Sequence, residues 1–131
     1  MKVLALDYGS ARTGVAVSDA TGTLARPLGV VERAATEAGL ERVADLVRAE
    51  GAERVVVGLP LTLRGERGEQ ARETERFVEV LRARLDVPVE SLDERFTTTL
   101  AERTPSRAPE DARAAAHLLS TYLDRRSGGR P

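Results

Sequence analysis

The chain has 131 residues, sets 20 basic side chains against 21 acidic ones for a net charge of −1, and contains no cysteine. That length holds one domain with an ordinary core and leaves no room for a catalytic domain plus a separate binding domain. Disulfide frameworks, thiolate nucleophiles and cysteine-ligated zinc are excluded; the net charge argues against a globally basic nucleic-acid binder but, averaging over faces, not against a local positive groove.

Residues 2–7 and 13–19 read as two short apolar strands joined by a turn that carries Gly9. A third strand, Leu28 to Glu32, follows Arg26-Pro27, and the three form an antiparallel meander. Thr36 through Glu50 has Leu40, Val43, Ala44 and Val47 at helical spacing, with Gly51 as a stop. The β-branched run from Arg54 to Gly58 suits a buried parallel strand and breaks at Gly58-Leu59-Pro60. A second helix is expected over Glu69–Leu85, on the stripe of Phe77, Val78, Leu81 and Leu85. The strand Val89–Leu92 comes next. Thr99 and Glu102 have capping-box spacing for a short helix closed by Pro105. A last helix starts near Pro109, runs to about Arg125, and buries Ala112, Ala115, Leu119, Tyr122 and Leu123. Residues 1–126 are thus expected to form one α/β domain, a five-stranded mixed sheet flanked by helices, with 127–131 as a disordered tail.

Ligands on such sheets collect at the carboxyl ends of parallel strands, and three carboxylates fall near that edge. Asp7 ends an apolar strand, where an unpaired charge costs several kcal/mol to bury. It reads either as a cation ligand or as a solvated strand-end carboxylate. Asp93 and Glu94 directly follow a buried strand; adjacent residues point to opposite sides, so only one joins Asp7, and Glu94 is favoured. Pairing of either acid with Arg95 at the surface is the plainer alternative. Asp111 lies in the first turn of the last helix, where an acid also simply complements the helix dipole. His117, the only histidine, lies off the face of Asp111 and reads as a partly exposed helix residue. Any metal must therefore sit on oxygen ligands. Asp7, Glu94 and Asp111, on three different elements, are what an octahedral Mg2+ or Mn2+ site for phosphodiester cleavage needs. Arg12, Gly58, Pro60, Arg64, Arg95, Thr97 and Thr98 are candidate nucleic-acid contacts. Lys2 is the only lysine among the 20 basic residues and asparagine is absent, a GC-rich coding signature that strips arginine content of most of its weight as a binding signal.

Four segments in order, LALDYGSARTGVAVSD, VVVGLPLTLRGERGEQA, LDERFTT and EDARAAAHLLSTYLD, resemble the YqgF family, also called RuvX, of the RNase H-like superfamily. The resemblance spans nearly the whole chain. It implies an RNase H-like fold and a metal-dependent nuclease that processes the 5′ end of pre-16S rRNA in ribosome biogenesis, resolves Holliday junctions, or does both. The family's metal-binding acids fall on Asp7, Glu94 and Asp111. Three features depart from the pattern: Thr62 stands where members commonly have asparagine, the short connection from Glu102 to Asp111 carries only Arg103 and Arg107 where relatives often have a basic stretch, and Ala114 stands where related resolvases carry a second helix acid. The alternative is a non-catalytic nucleic-acid-binding module of the same fold. A phosphotransferase of the actin and sugar-kinase superfold, which shares an Asp-x-Gly hairpin, is opposed by length. The partner expected is structured RNA or branched DNA, and symmetric cutting of a junction would call for a homodimer. No signal peptide or membrane span is legible, so a cytoplasmic protein is expected.

Overall fold

A computed structural model describes residues 1–60, 68–93 and 109–128. The expected short helix near Thr99–Pro105 and the last three residues lie outside these. Five strands, β1 (Val3–Asp7), β2 (Arg12–Ser18), β3 (Ala25–Glu32), β4 (Arg54–Leu59) and β5 (Val89–Asp93), form one sheet in the order β3-β2-β1-β4-β5. The first three pair antiparallel, whereas β1, β4 and β5 run parallel. The expected meander plus parallel strands is therefore what the chain builds, with β1 at its centre.

Helices α1 (Glu37–Glu50) and α2 (Glu69–Arg84) cover one face, and α3 (Glu110–Gly128) crosses β1, β2 and β3 on the other. The alternation of β1 divides the core between them. Leu4 and Leu6 pack with Leu40, Val43, Phe77 and Leu81 on the α1/α2 side. Val3 and Ala5 pack with Ala115, Leu118, Leu119 and Tyr122 on the α3 side. Each fully buried leucine or valine contributes about 1.5–3 kcal/mol of transfer free energy, so the central strand is held from both faces.

Local signals set the helix ends. Thr36 caps α1, its hydroxyl oxygen accepting from the Gly39 amide at 3.1 Å, and Gly51 ends the helix in the left-handed region at φ 66°. Several element ends depart from expectation. β3 starts at Ala25 and runs through Pro27, which is tolerated because β3 is an edge strand and its missing amide leaves no inner ladder broken. The register with β2 shifts at Val15/Ala16, beside the Ala16–Pro27 pair. β4 continues to Leu59 because pairing with β5 holds Gly58 opposite Leu92 and Leu59 opposite Asp93. The break expected across Gly58-Leu59-Pro60 therefore comes only at Pro60. α3 runs on to Gly128, into the segment expected as tail.

Candidate active site

β1, β4 and β5 end together in Asp7, Leu59 and Asp93, so the carboxyl edge of the parallel strands carries Asp7 at its centre. Asp7 is half-buried. It shares strand parity with Val3 and Ala5 and so belongs to the α3 side of the sheet. Its partner across the β1–β2 pair is Gly14.

Gly14 explains how a helix residue reaches the same place. A Cβ built at Gly14 would lie 1.8 Å from the Asp111 carbonyl oxygen and 3.0 Å from the Ala112 amide nitrogen. The first turn of α3 therefore rests on bare strand backbone, an approach that only glycine permits. Asp111 is in that first turn and half-buried. Residue 14 pairs with Asp7 and touches Asp111, so the two acids flank one point.

The turn between them is built tightly. A Cβ at Gly9 would lie 2.4 Å from the Arg12 carbonyl oxygen. The buried Thr13 hydroxyl donates to the Gly9 carbonyl at 3.3 Å and accepts from the Gly9 amide at 3.4 Å. The Arg33 amide donates to the Ala11 carbonyl at 2.9 Å, tying the turn to the end of β3. Arg12, the first residue of β2, places its guanidinium Nε 3.3 Å from Asp111 Oδ2. Its side chain is 66% exposed. Such a pair is worth at most about 1 kcal/mol, and it brings a cation to the edge.

Other sequence-derived candidates are dispersed. Asp93 has the parity of Val89, on the α1/α2 side, while Leu92 packs on the α3 side. Asp93 thus falls on the face opposite Asp7. Gly58 is buried, with its backbone in the ladder to β5, and Pro60 directly follows the end of β4. His117 is half-buried on α3, its carbonyl accepting from the Thr121 hydroxyl at 3.1 Å. Glu94, Arg64, Arg95, Thr97 and Thr98 lie outside the described residues. Among the described residues no group of three histidine or acidic side chains is set to hold a metal ion. Asp7 and Asp111 are nevertheless the oxygen donors that a hard divalent cation prefers, and the bare backbone at Gly14 lets the backbone of Asp111 pack against the strand residue paired with Asp7.

Tyr8 escaped the sequence reading. One residue beyond Asp7, it takes the opposite parity and stacks on Phe77 of α2, ring centroids 4.3 Å apart. Its hydroxyl donates to Glu73 Oε2 at 2.8 Å. Burial first, then the Glu73 carboxylate, pushes the phenol up to about 12 from 10.0. Tyr8 thus anchors the end of β1 under α2 while Asp7 faces α3. The available signal was an amphipathic aromatic directly after a strand-end acid, together with Glu73 and Phe77 one helical turn apart.

The family model described as RuvX, Holliday junction resolvase, matches residues 1–125. A Chloroflexus aurantiacus protein named "Putative pre-16S rRNA nuclease" is 43% identical over 133 residues, covering 95% of this chain and 87% of its own. A Desulforudis audaxviator protein of the same name is 40% identical over 139 residues, covering 99% of both. The fold is similar to that of T. thermophilus RuvC in complex with a Holliday junction substrate, with TM-score 0.66, 20% identity, and 98% and 97% of the two chains covered. Fowlpox virus resolvase, solved with Holliday junction DNA, matches with TM-score 0.51, 12% identity, and 94% and 93% coverage. These likenesses establish the RNase H-like sheet.

Proposed function

The chain belongs to the RuvX family, and on that premise we propose that it is a hydrolase, a nuclease dependent on Mg2+ or Mn2+ that cleaves phosphodiester bonds in structured nucleic acid. The observation that carries this reading is the seating of α3 on Gly14, which sets Asp111 beside the residue paired with Asp7. Curated relatives are named for pre-16S rRNA, and the family description names Holliday junctions. Those names support processing of pre-16S rRNA, junction resolution, or both; 5′-end processing in ribosome biogenesis, carried out in the cytoplasm, is the finer form of the proposal. Among the described residues no helix is long and apolar enough to cross a membrane. A homodimer is the assembly that symmetric junction cutting would require.

In this reading Asp7, Asp111 and Glu94 hold the cation. The alternation of β5 puts Asp93 on the wrong face, which favours Glu94 as the third ligand. When bound, the metal supplies Lewis-acid polarisation of the phosphate and charge stabilisation in the transition state. Asp7 and Asp111 fix where the scissile phosphate stops along the sheet edge. Arg12, already beside Asp111, offsets the charge that two carboxylates present to a polyanion and reaches the phosphate with a planar fork of donors. Arg64, Arg95, Thr97 and Thr98 extend the phosphate contacts, and Pro60, directly after β4, lies at the same sheet edge, with Gly58 inside the ladder behind it. No protein nucleophile is needed, in keeping with a chain that has no cysteine.

Cleavage of a pre-16S rRNA 5′ leader and of a four-way DNA junction, each with Mg2+, Mn2+ or excess chelator, tests the reading. Cutting of either substrate with metal and none in chelator is expected. Binding without cutting under all three conditions would replace the nuclease by a non-catalytic binding module.

A further inference from the structure

A cavity of about 240 Å3 opens beside the strand ends, and the phosphodiester chemistry makes no use of it. Tyr8, Gly9, Ser10, Pro60, Gln70 and Glu73 are among its lining. Three of these directly follow Asp7 in the chain, so the cavity shares the carboxyl edge with the acids but lies on the α2 side, where Tyr8 packs. Pockets that enclose drug-sized ligands span roughly 300–1,000 Å3. This one is smaller, and suits a single ring system.

Its chemistry selects against phosphate and for N–H donors. Glu73 presents a carboxylate, an acceptor when ionised, and that negative charge repels a phosphodiester. The carboxylate is held in place: Tyr8, stacked on Phe77, donates its hydroxyl to Oε2 at 2.8 Å. Among the described residues this is the one hydrogen bond to that carboxylate, which leaves its second oxygen facing a ligand. Gln70 adds an amide that both donates and accepts, and the ring of Tyr8 with Pro60 and the bare backbone of Gly9 gives a flat, partly apolar wall. Unpaired nucleobases are read by contacts of this kind, stacking plus hydrogen bonds to the Watson–Crick edge. Guanine offers a carboxylate two adjacent donors on that edge, N1–H and the N2 amino group. Uracil offers one N–H between two carbonyls that a carboxylate repels.

We infer that this cavity is a nucleobase pocket selective for an unpaired guanine next to the phosphate held at Asp7 and Asp111. It rests on the nuclease reading for the placement of that phosphate, and on Glu73 for the choice of base. The pocket gives the edge a direction: the backbone lies on the α3 side and a base turns in on the α2 side.

Titration of the 15N-labelled full chain with guanosine 5′-monophosphate, uridine 5′-monophosphate and inorganic phosphate, all in chelator, tests the pocket without any cleavage step. Guanosine monophosphate should move the amide signals of Tyr8, Gly9, Gln70 and Glu73 with a Kd about tenfold or more below that of uridine monophosphate, within the discrimination a bidentate base contact provides. Glu73→Gln should shrink the preference to about threefold or less by removing the acceptor pair. Equal affinities for the two nucleotides, or phosphate alone reproducing the shifts, would overturn the proposal, and the wild-type comparison decides this even if the variant fails to fold. A chain that cuts with metal but shows no base preference keeps its active site and loses the pocket. Guanine selectivity in a chain that never cuts keeps the pocket and removes the nuclease.

Discussion

Asp7 and Asp19 each close a strand of the same hairpin, and their carboxylates meet opposite fates. Asp19 follows β2 and is consumed locally: it accepts from the Thr21 hydroxyl at 2.5 Å and from the Thr23 and Leu24 amides at 2.8 and 3.0 Å. The Thr21 hydrogen bond, then the Leu24 and Thr23 amides, pull its carboxyl down to about 2. The β2–β3 connection has thereby made its acid into a turn lock. Asp7, at the other end of the hairpin, is followed by an aromatic that leaves for the opposite face and by a glycine turn, and its pairing partner is the glycine on which α3 begins. A strand-end aspartate becomes a structural device when hydroxyls and amides follow it in sequence. It becomes a site when distant elements converge on it.

Substitutions at the two ends should separate these roles, and the largest effect is expected at Asp7. Asp7→Asn should lower metal-dependent cleavage about a thousandfold, because the several kcal/mol of charge stabilisation from a bound cation translate at 1.36 kcal/mol per decade. Single-turnover kinetics in Mn2+ measure it, and a variant that retains wild-type cleavage would leave Asp7 as idle as a solvated strand end. Gly14→Ala comes next. The added methyl falls 1.8 Å from the Asp111 carbonyl oxygen, so α3 must shift, at a cost of about 1–3 kcal/mol for overpacking. Urea denaturation should show that loss together with slower cleavage. Unchanged stability would mean that α3 is not seated on β2.

A smaller effect is expected at Tyr8, the anchor behind Asp7. Because the folded chain raises the phenol from 10.0 to about 12, the protonated form is favoured by folding. The associated stability is full below pH 10 and is lost as pH rises from there through about 12. The difference in phenolate absorbance between wild type and Tyr8→Phe should titrate near 12; a midpoint near 10 would detach Tyr8 from Glu73. The mildest change is expected at Asp19. Asp19→Ala should lower the melting temperature at neutral pH while cleavage stays within about twofold, as for a surface change remote from the chemistry. With the folded carboxyl depressed to about 2 from 3.8, its contribution is present above pH 3.8 and lost as pH falls through about 2. Thermal melts of the two proteins should accordingly converge at the acid end. Loss of cleavage in Asp19→Ala with the melt unaltered would dissolve the contrast between the two acids.

Much of the architecture was legible in the chain itself, because its signals are local. The 3.6-residue stripe of Leu40, Val43 and Val47 with Thr36 before it and Gly51 after it suffices for α1. The apolar run into Asp7 likewise reads as a strand ending on an acid, and Arg54 onward as a buried parallel strand. What eluded sequence reasoning depended on neighbours. Pro27 looks like a boundary and is not one, since β3 is an edge strand. Gly58 looks like a turn and is not one, since β5 pairs with it. Tyr8 has one local mark, an aromatic directly after a strand-end acid, and its anchoring role exists only because α2 brings Glu73 and Phe77 beneath it.

The sequence alone determined the periods, the caps and which acids end strands or open helices, because these follow from spacing within a few residues. Only the tertiary structure decided that Asp7 and Asp111 meet at Gly14 and that Asp93 belongs to the other face. The reason is physical. Strand alternation assigns a residue to one of two faces without saying what will cover that face, and the covering helix was set by the burial of Ala115, Leu118, Leu119 and Tyr122 against β1 and β2, far along the chain from the acid they help to place.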